Sequence, residues 1–409
     1  MKVLYVTASC LTKNTSANMS HNGYVQGLLE NGCDLDILMA NDSWGEQDKA
    51  LPEWKQANYY IYDAVSAKER FRRRFTKANA APVSGCSKCE SGEARQKKIS
   101  VRALVKKIFY ILFPNDPVYP LHKTWLKNAQ KFRMNEEYDL VISNSSPAAS
   151  HALVMQLLQK KHISCKRWIQ IWEDPWYYDI YGGGSAAICE EEHRLLRGAS
   201  EIYYVSPLTL MYQKQYFSDC AEKMKYIPLP AFSYEEEIQK GDDPVSFGYF
   251  GDYYRTTRNL EPFYQAMVAQ KATGYIYGDS DLQLASTDTL TVHGRTTLDK
   301  LSKIQGETDI LVHLCNLKGG QIPGKIYHYS LTKKPILFIL DGTEKEIGQI
   351  KAFFGKYNRY VFCENTIEAI SNVITNLSDR SKLESLQPVD AFRPKEIVKT
   401  LFKHADQLF

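Results

Sequence analysis

Short apolar runs of strand length recur along this chain, and stretches with the 3.6-residue spacing of helices separate them. That alternation constrains the fold more than any other feature. Strands joined by helices run parallel, and a parallel sheet buries both of its faces under helices. In the first half the strand-like runs are Lys2–Thr7, Asp34–Ala40, Asp139–Ser143, Arg167–Trp172 and Glu201–Ser206. Helices are expected near Ser20–Asn31, Pro147–Lys160 and Ser185–Arg197. The second half repeats the logic. Its strand-like runs are Val245–Phe250, Ala272–Tyr277, Leu290–His293, Asp309–Leu314, Pro335–Leu340 and Tyr360–Glu364. Helices are expected near Asn259–Met267, Thr297–Gln305, Gly324–Thr332, Glu344–Phe354 and Thr366–Leu377. A length of 409 residues suits two cores. The fold class is therefore α/β, with two doubly wound, Rossmann-like domains over residues 1–230 and 231–390. The joint falls in the polar, proline-bearing stretch 227–244, and a last helical segment occupies 391–409. A segment at about 64–131 interrupts the first domain. It opens with the basic run KERFRRRF and continues as an amphipathic basic helix over Ile99–Phe113.

Charge and cysteine usage narrow the classes. The net charge of +4 is small for this length and argues against a dedicated nucleic-acid binder. Between Lys68 and Lys107, thirteen lysines and arginines face three acids, so the excess is local. That segment either lies on an anionic membrane surface or packs on its own domain with a solvated charged face. Nine scattered cysteines do not form an even disulfide framework, which suits reduced thiols in a cytoplasm. The apolar run at the N-terminus is too short for a secretory signal, and no window has the length of a membrane span.

In open α/β sheets ligands bind beyond the carboxyl ends of the strands. After Val245–Phe250 a turn at Gly251 leads through Arg255 and Arg258 into a helix. Guanidinium geometry fits phosphate oxygens, so at least one of these arginines is a candidate for gripping a diphosphate. After Asp309–Leu314 comes a glycine-rich loop with Gly319, Gly320 and Gln321, then Gly324 and Lys325 at a helix start. A lysine there opposes the helix dipole, and the conflict resolves if an anion sits at that helix end.

The string GGQIPGKIYHYSLTKKPILFI is similar to the donor-binding segment of GT-B glycosyltransferases, in particular the large retaining family-four group and its polysaccharide-assembly relatives. FGYFGDYYRTTRNL resembles the first donor-domain strand and basic turn of that group. YIYGD at Tyr275–Asp279 resembles its second strand, and Val292–Arg295 with Leu298–Ile310 the stretch before its donor loop. The likeness spans most of residues 245–340. It implies a cleft between an acceptor-binding N-terminal domain and a nucleotide-sugar-binding C-terminal domain. By the same implication Arg255 or Arg258 and Lys325 contact the diphosphate. Gly251, Gly319, Gly320, Gln321, Gly324 and Tyr329 lie around the donor, and His328 takes the ribose. The group's E-x7-E pattern is degenerate here, with Gly320 and His328 where its two glutamates stand.

On the acceptor side, Glu173-Asp174-Pro175 follows the strand Arg167–Trp172. Asp174 is a candidate base or acceptor-orienting carboxylate, with turn chemistry before a proline as the alternative. Trp172 and Trp176 are candidate platforms for a sugar face. Cys86-Ser87-Lys88-Cys89 is one C-x2-C pair without a second, too few ligands for structural zinc. The isolated histidines, His21 among them, read as structural. No metal or other cofactor is expected: fixed positive groups would carry the leaving diphosphate of a UDP- or GDP-sugar. The expected activity is hexosyl transfer with retention, to a glycan or lipid-linked acceptor of cell-surface polysaccharide, in the cytoplasm or at the inner membrane face. The rival readings are a nucleotide-sugar 2-epimerase and a non-catalytic nucleotide- or glycan-binding member of the same fold.

Overall fold

The computed structural model describes residues 1–13, 15–41, 51–65, 118–180, 184–232 and 243–403. The basic run, the helix expected at 99–113, the cysteine pair 86/89 and the glycines 182 and 183 lie outside them.

Seven parallel strands form the first sheet: β1 (Lys2–Thr7), β2 (Asp34–Asn41), β3 (Asn58–Asp63), β4 (Leu140–Ser145), β5 (Trp168–Trp172), β6 (Glu201–Tyr204) and β7 (Met224–Tyr226). Their order is β3-β2-β1-β4-β5-β6-β7. Six more form the second: β8 (Ser246–Phe250), β9 (Thr273–Tyr277), β10 (Leu290–His293), β11 (Ile310–Leu314), β12 (Ile336–Leu340) and β13 (Tyr360–Glu364). These run β10-β9-β8-β11-β12-β13, again all parallel. In each sheet the order reverses beside the first strand, between β1 and β4 and between β8 and β11. Those reversals open a crevice at the carboxyl ends of the strands.

The central strands are mostly apolar because helices cover both faces; β5, β8, β11 and β12 are buried at every residue. The helices of the first domain are α1 (Ser16–Glu30), α2 (Lys123–Ala129), α3 (Ala149–Gln159), α4 (Ala186–Gly198) and α5 (Pro207–Tyr216). Those of the second are α6 (Glu261–Ala269), α7 (Leu298–Glu307), α8 (Lys325–Tyr329), α9 (Glu344–Gly355) and α10 (Ile367–Leu377). Side-chain caps fix several starts: the Thr15 hydroxyl accepts from the Asn18 N–H, and Thr343 with Glu346 forms a capping box.

The last helix, α11 (Pro394–Lys403), lies on α1. Its Ile397, Val398 and Leu401 share a buried cluster with Val3, Tyr24 and Leu28. Gly27 makes this approach possible, since a Cβ there would stand 2.3 Å from the Pro394 carbonyl oxygen. The chain thus crosses between the domains twice, and the crossings touch where the Ala231 N–H donates to the Phe392 carbonyl at 3.0 Å.

The helix expected over Gly324–Thr332 is shorter than its sequence pattern, ending as α8 at Tyr329. Five residues sum to little macrodipole, so an anion near Gly324 would be held by side chains rather than by a helix end.

Candidate active site between the two domains

The second sheet places its cations at the β8/β11 reversal. Arg258 follows β8 and leans toward the loop after β11. Its Nε donates to Asn316 Oδ1 at 3.1 Å, and Nη1 donates to the Asp252 carbonyl at 2.9 Å. Lys325 opens α8 from the far side of the same crevice and has no hydrogen bond or ion pair among the described residues. Its ammonium is pushed down to about 8, first by burial and then by Arg258 and Arg295, with Asp252 pulling the other way. Arg295, after β10, completes the group. It pairs with Asp252, and its Nε lies 3.0 Å from Asp279. Three positive groups thus gather around Asp252, with Asp279 also paired to Arg295, an arrangement that suits an incoming polyanion.

His328 lies one turn after Lys325 on α8. Its Nδ1 accepts from the Phe232 N–H at 3.3 Å, which leaves the proton on Nε2, and its ring stacks on Phe232. Burial and the neighbouring Lys325 lower it to about 4, so the imidazole is neutral.

Across the crevice the loop after β11 presses on the first domain. Ser206 and Thr209 both donate their hydroxyls to the Gly320 carbonyl, Thr209 at 2.8 Å. Gly319 adopts φ +89°, and a Cβ on Gly320 would fall 2.8 Å from the Thr209 backbone. Gln321 donates its side-chain amide to Asp174 Oδ1, while its backbone carbonyl accepts from Asn316 Nδ2 at 2.9 Å. The seam extends through the Tyr327 hydroxyl, which donates to the Val205 carbonyl at 2.9 Å. Asp174 therefore meets the cation-bearing domain directly. Burial raises its carboxyl to about 6, against the hydrogen bond from Gln321 and with help from Asp179.

Of the residues singled out in the sequence, Arg258, Lys325, His328, Gln321 and Asp174 come together, with Gly251 ending β8 beneath them and Gly324 packed on Leu229. Three need correction. Arg255 stands apart: its side chain is 62% exposed and pairs with Glu261 at 3.1 Å, because the first turn of α6 supplies a carboxylate on the solvent side. Tyr329 is a core residue, 2% exposed; one step past His328 rotates a side chain by about 100° and turns it inward. Trp172 is fully buried, with its indole on His151 at 4.2 Å and its N–H donating to Gln170, so it has no face to offer an acceptor. Gly319 and Gly320 pack in the seam, where a Cβ would meet Ile180 and Thr209 respectively. Trp176 is half-buried against Tyr119 at 5.3 Å. Sequence reasoning missed the pairing of Arg295 with Asp252, and the hydroxyls of Ser206 and Thr209. Only the position of Arg295 after a strand hinted at a role.

No protein-family model matches the sequence, and no curated protein matches it. Solved structures do resemble the fold. Anabaena HepE in complex with UDP and glucose aligns over 100% of this chain and 99% of that one, at 12% identity and TM-score 0.55. A glycosyltransferase from Rickettsia africae aligns over 100% and 98%, at 10% identity and TM-score 0.48. The UDP-GlcNAc 2-epimerase of Neisseria meningitidis bound to UDP-GlcNAc aligns over 100% of both chains, at 11% identity and TM-score 0.46. The two parallel sheets, their reversals and the likeness to HepE define the fold of this chain: it is GT-B, two Rossmann-like domains facing each other across a cleft.

Proposed function

We propose that the protein is a glycosyltransferase that moves a hexosyl group from a UDP- or GDP-sugar to a glycan or lipid-linked acceptor, without a metal and with retention. One observation carries the reading: Arg258 and Lys325 lie by the β8/β11 reversal with Arg295 beside them on Asp252, and Gln321 of the loop after β11 reaches Asp174 across the cleft. Cations there would take the charge that develops on the leaving diphosphate, in a space from which the domain seam excludes water. His328, with Nε2–H free to donate, would hold a ribose hydroxyl in place of the family's glutamate. Asp174 would orient the acceptor hydroxyl or take its proton. The UDP and glucose seen with HepE fit such a donor site. Retention and the polysaccharide role rest on the resemblance of residues 245–340 to the family-four group. No helix among the described residues is long and apolar enough to cross a membrane, so attachment at an inner membrane face would fall to the basic segment 64–131.

The test is a thermal-shift panel of UDP, GDP, ADP, CMP and their sugar conjugates, with and without magnesium. A ligand that binds only the folded state raises the melting temperature. The expected result is a magnesium-independent shift with one nucleoside diphosphate. Absence of any shift, in a protein that melts cooperatively, refutes the donor site.

A further inference from the structure

A second polar group, on the opposite wall of the cleft, has no place in the reading above. It gathers where β1, β4 and β5 end. Glu173 follows β5, with its side chain 10% exposed. Among the described residues its Oε1 has no hydrogen-bond partner, and it lies 3.5 Å from His21 Nε2, which also has none there. His21 comes from α1 and is fully buried; its Nδ1 is 2.8 Å from Thr7 Oγ1. Asn144 on β4 donates to the Tyr5 hydroxyl at 2.8 Å but leaves Oδ1 unpartnered, as is Ser145 Oγ beside it. Buried polar atoms in folded proteins are nearly always paired. Four unpaired ones at the mouth of a sheet reversal point to a hydrogen-bonding ligand.

The ionisable groups facing Glu173 are Asp174 beside it, Tyr5 on β1, and His21 and Tyr24 on α1. None of them is a lysine or arginine. A carboxylate in this seat would lose its hydration with no cation to replace it. Burial and the adjacent Asp174 hold the Glu173 carboxyl well above the ordinary range, with Asn144 opposing, and burial lowers His21 to about 3. A carboxylic acid O–H donating to His21 Nε2 satisfies both orphan atoms at once. The imidazole then donates from Nδ1 to Thr7.

We propose that Glu173 is a neutral carboxylic acid at the floor of the cleft, positioned by His21, and that it recognises a hydroxyl of the incoming acceptor beside Asp174. The recognition role rests on the transfer reading; the protonated state does not. With its O–H held by His21 Nε2, the acid offers the sugar hydroxyl a carbonyl oxygen as acceptor, without the cost of a buried, uncompensated charge. The two adjacent carboxyls would then divide the work. Asp174 carries the charge, and Glu173 supplies neutral hydrogen bonding.

Two measurements on the full chain test this. Infrared difference spectra of wild type against Glu173→Gln at pH 7 should show the carbonyl band of a protonated carboxyl that the variant lacks. Release of UDP from UDP-glucose, and in parallel of GDP from GDP-mannose, with water as acceptor, reports the site at work. Glu173→Gln, an uncharged mimic, should stay within about threefold of wild type, while Glu173→Ala should lose about tenfold or more, the effect of one buried hydrogen bond. The thermal shift with UDP or GDP should be the same in all three proteins. A missing band at pH 7 overturns the proposal, as does a Gln variant as impaired as the Ala variant or an Ala variant with full turnover. If no nucleotide shifts the wild type, the transfer reading fails, and the infrared arm still decides whether Glu173 holds its proton.

Discussion

Removing the Lys325 ammonium tests the donor site most directly. Lys325 is without an ion pair among the described residues, half-buried, and pointed at the reversal where Arg258 and Arg295 also gather. A hydrogen bond from a charged group to phosphate contributes about 1.5–3 kcal/mol, which is about a ten- to 150-fold weaker Kd on its loss. Lys325→Met keeps most of the apolar stem and removes the charge, so it isolates that contribution from packing. The pH dependence gives a second handle. With an ammonium at about 8, Lys325 is mostly charged at pH 7 and mostly neutral at pH 9. A bound diphosphate favours the charged form, so the complex holds more protons than the free protein, and affinity must fall as pH rises through 8. The drop is about tenfold between pH 7 and pH 9, provided the complex keeps its proton throughout. Titration calorimetry with the nucleoside diphosphate that gives the thermal shift, at fixed ionic strength, measures both effects. The Met variant should bind weakly and without this slope. A folded Lys325→Met with wild-type affinity, or a flat wild-type profile from pH 7 to 9, would falsify the assignment.

The acceptor side makes its own demand on pH. Asp174 is raised to about 6, so its charged form is lost as pH falls through that value. Initial rates of nucleotide-sugar turnover should rise from pH 5 to 7, and Asp174→Asn should be flat and about a hundredfold slower, the scale of general base catalysis. At the seam, Gly320→Val places a side chain against the Thr209 backbone and pulls the loop off the Ser206 and Thr209 hydroxyls. The overpacking should cost about 1–3 kcal/mol of seam stability, visible as faster hydrogen exchange at residues 206–209 and 316–321. Arg359 is a structural counterpart. It is 4% exposed and donates to the carbonyls of Ser330, Thr332, Lys334 and Gln387. Arg359→Ala should destabilise the second domain by about 3–5 kcal/mol in urea unfolding, as loss of one partner from a buried charged network does. A variant as stable as wild type would show that water replaces the guanidinium.

Much of the fold was legible because a parallel sheet writes itself into sequence as continuous apolar runs. β1, β10 and β13 match their expected residues, and the other expected strands shift only at their ends. Two strands escaped notice for one reason. β3 is an edge strand with no buried residue, and β7 is three residues long, so neither shows a buried run. α5 was missed although Ser206-Pro207 is a good helix start, because it buries only Leu208, Thr209 and Gln213.

By itself the sequence determined two doubly wound domains and the location of ligand chemistry in the loops after strands. Apolar patterning sets strands and helices locally, and parallel order puts their carboxyl ends on one side. Tertiary structure alone decided which loop residues share a site. Trp172, Glu173 and Asp174 are consecutive, yet one fills the core, one lies against His21 and one reaches Gln321 in the other domain. Arg255 and Arg258 are a turn apart, yet one pairs with Glu261 in solvent and the other joins Lys325. Patterning ranks residues by how well they bury. It carries no record of where a side chain beyond a strand end points, because partners distant in the chain fix that direction.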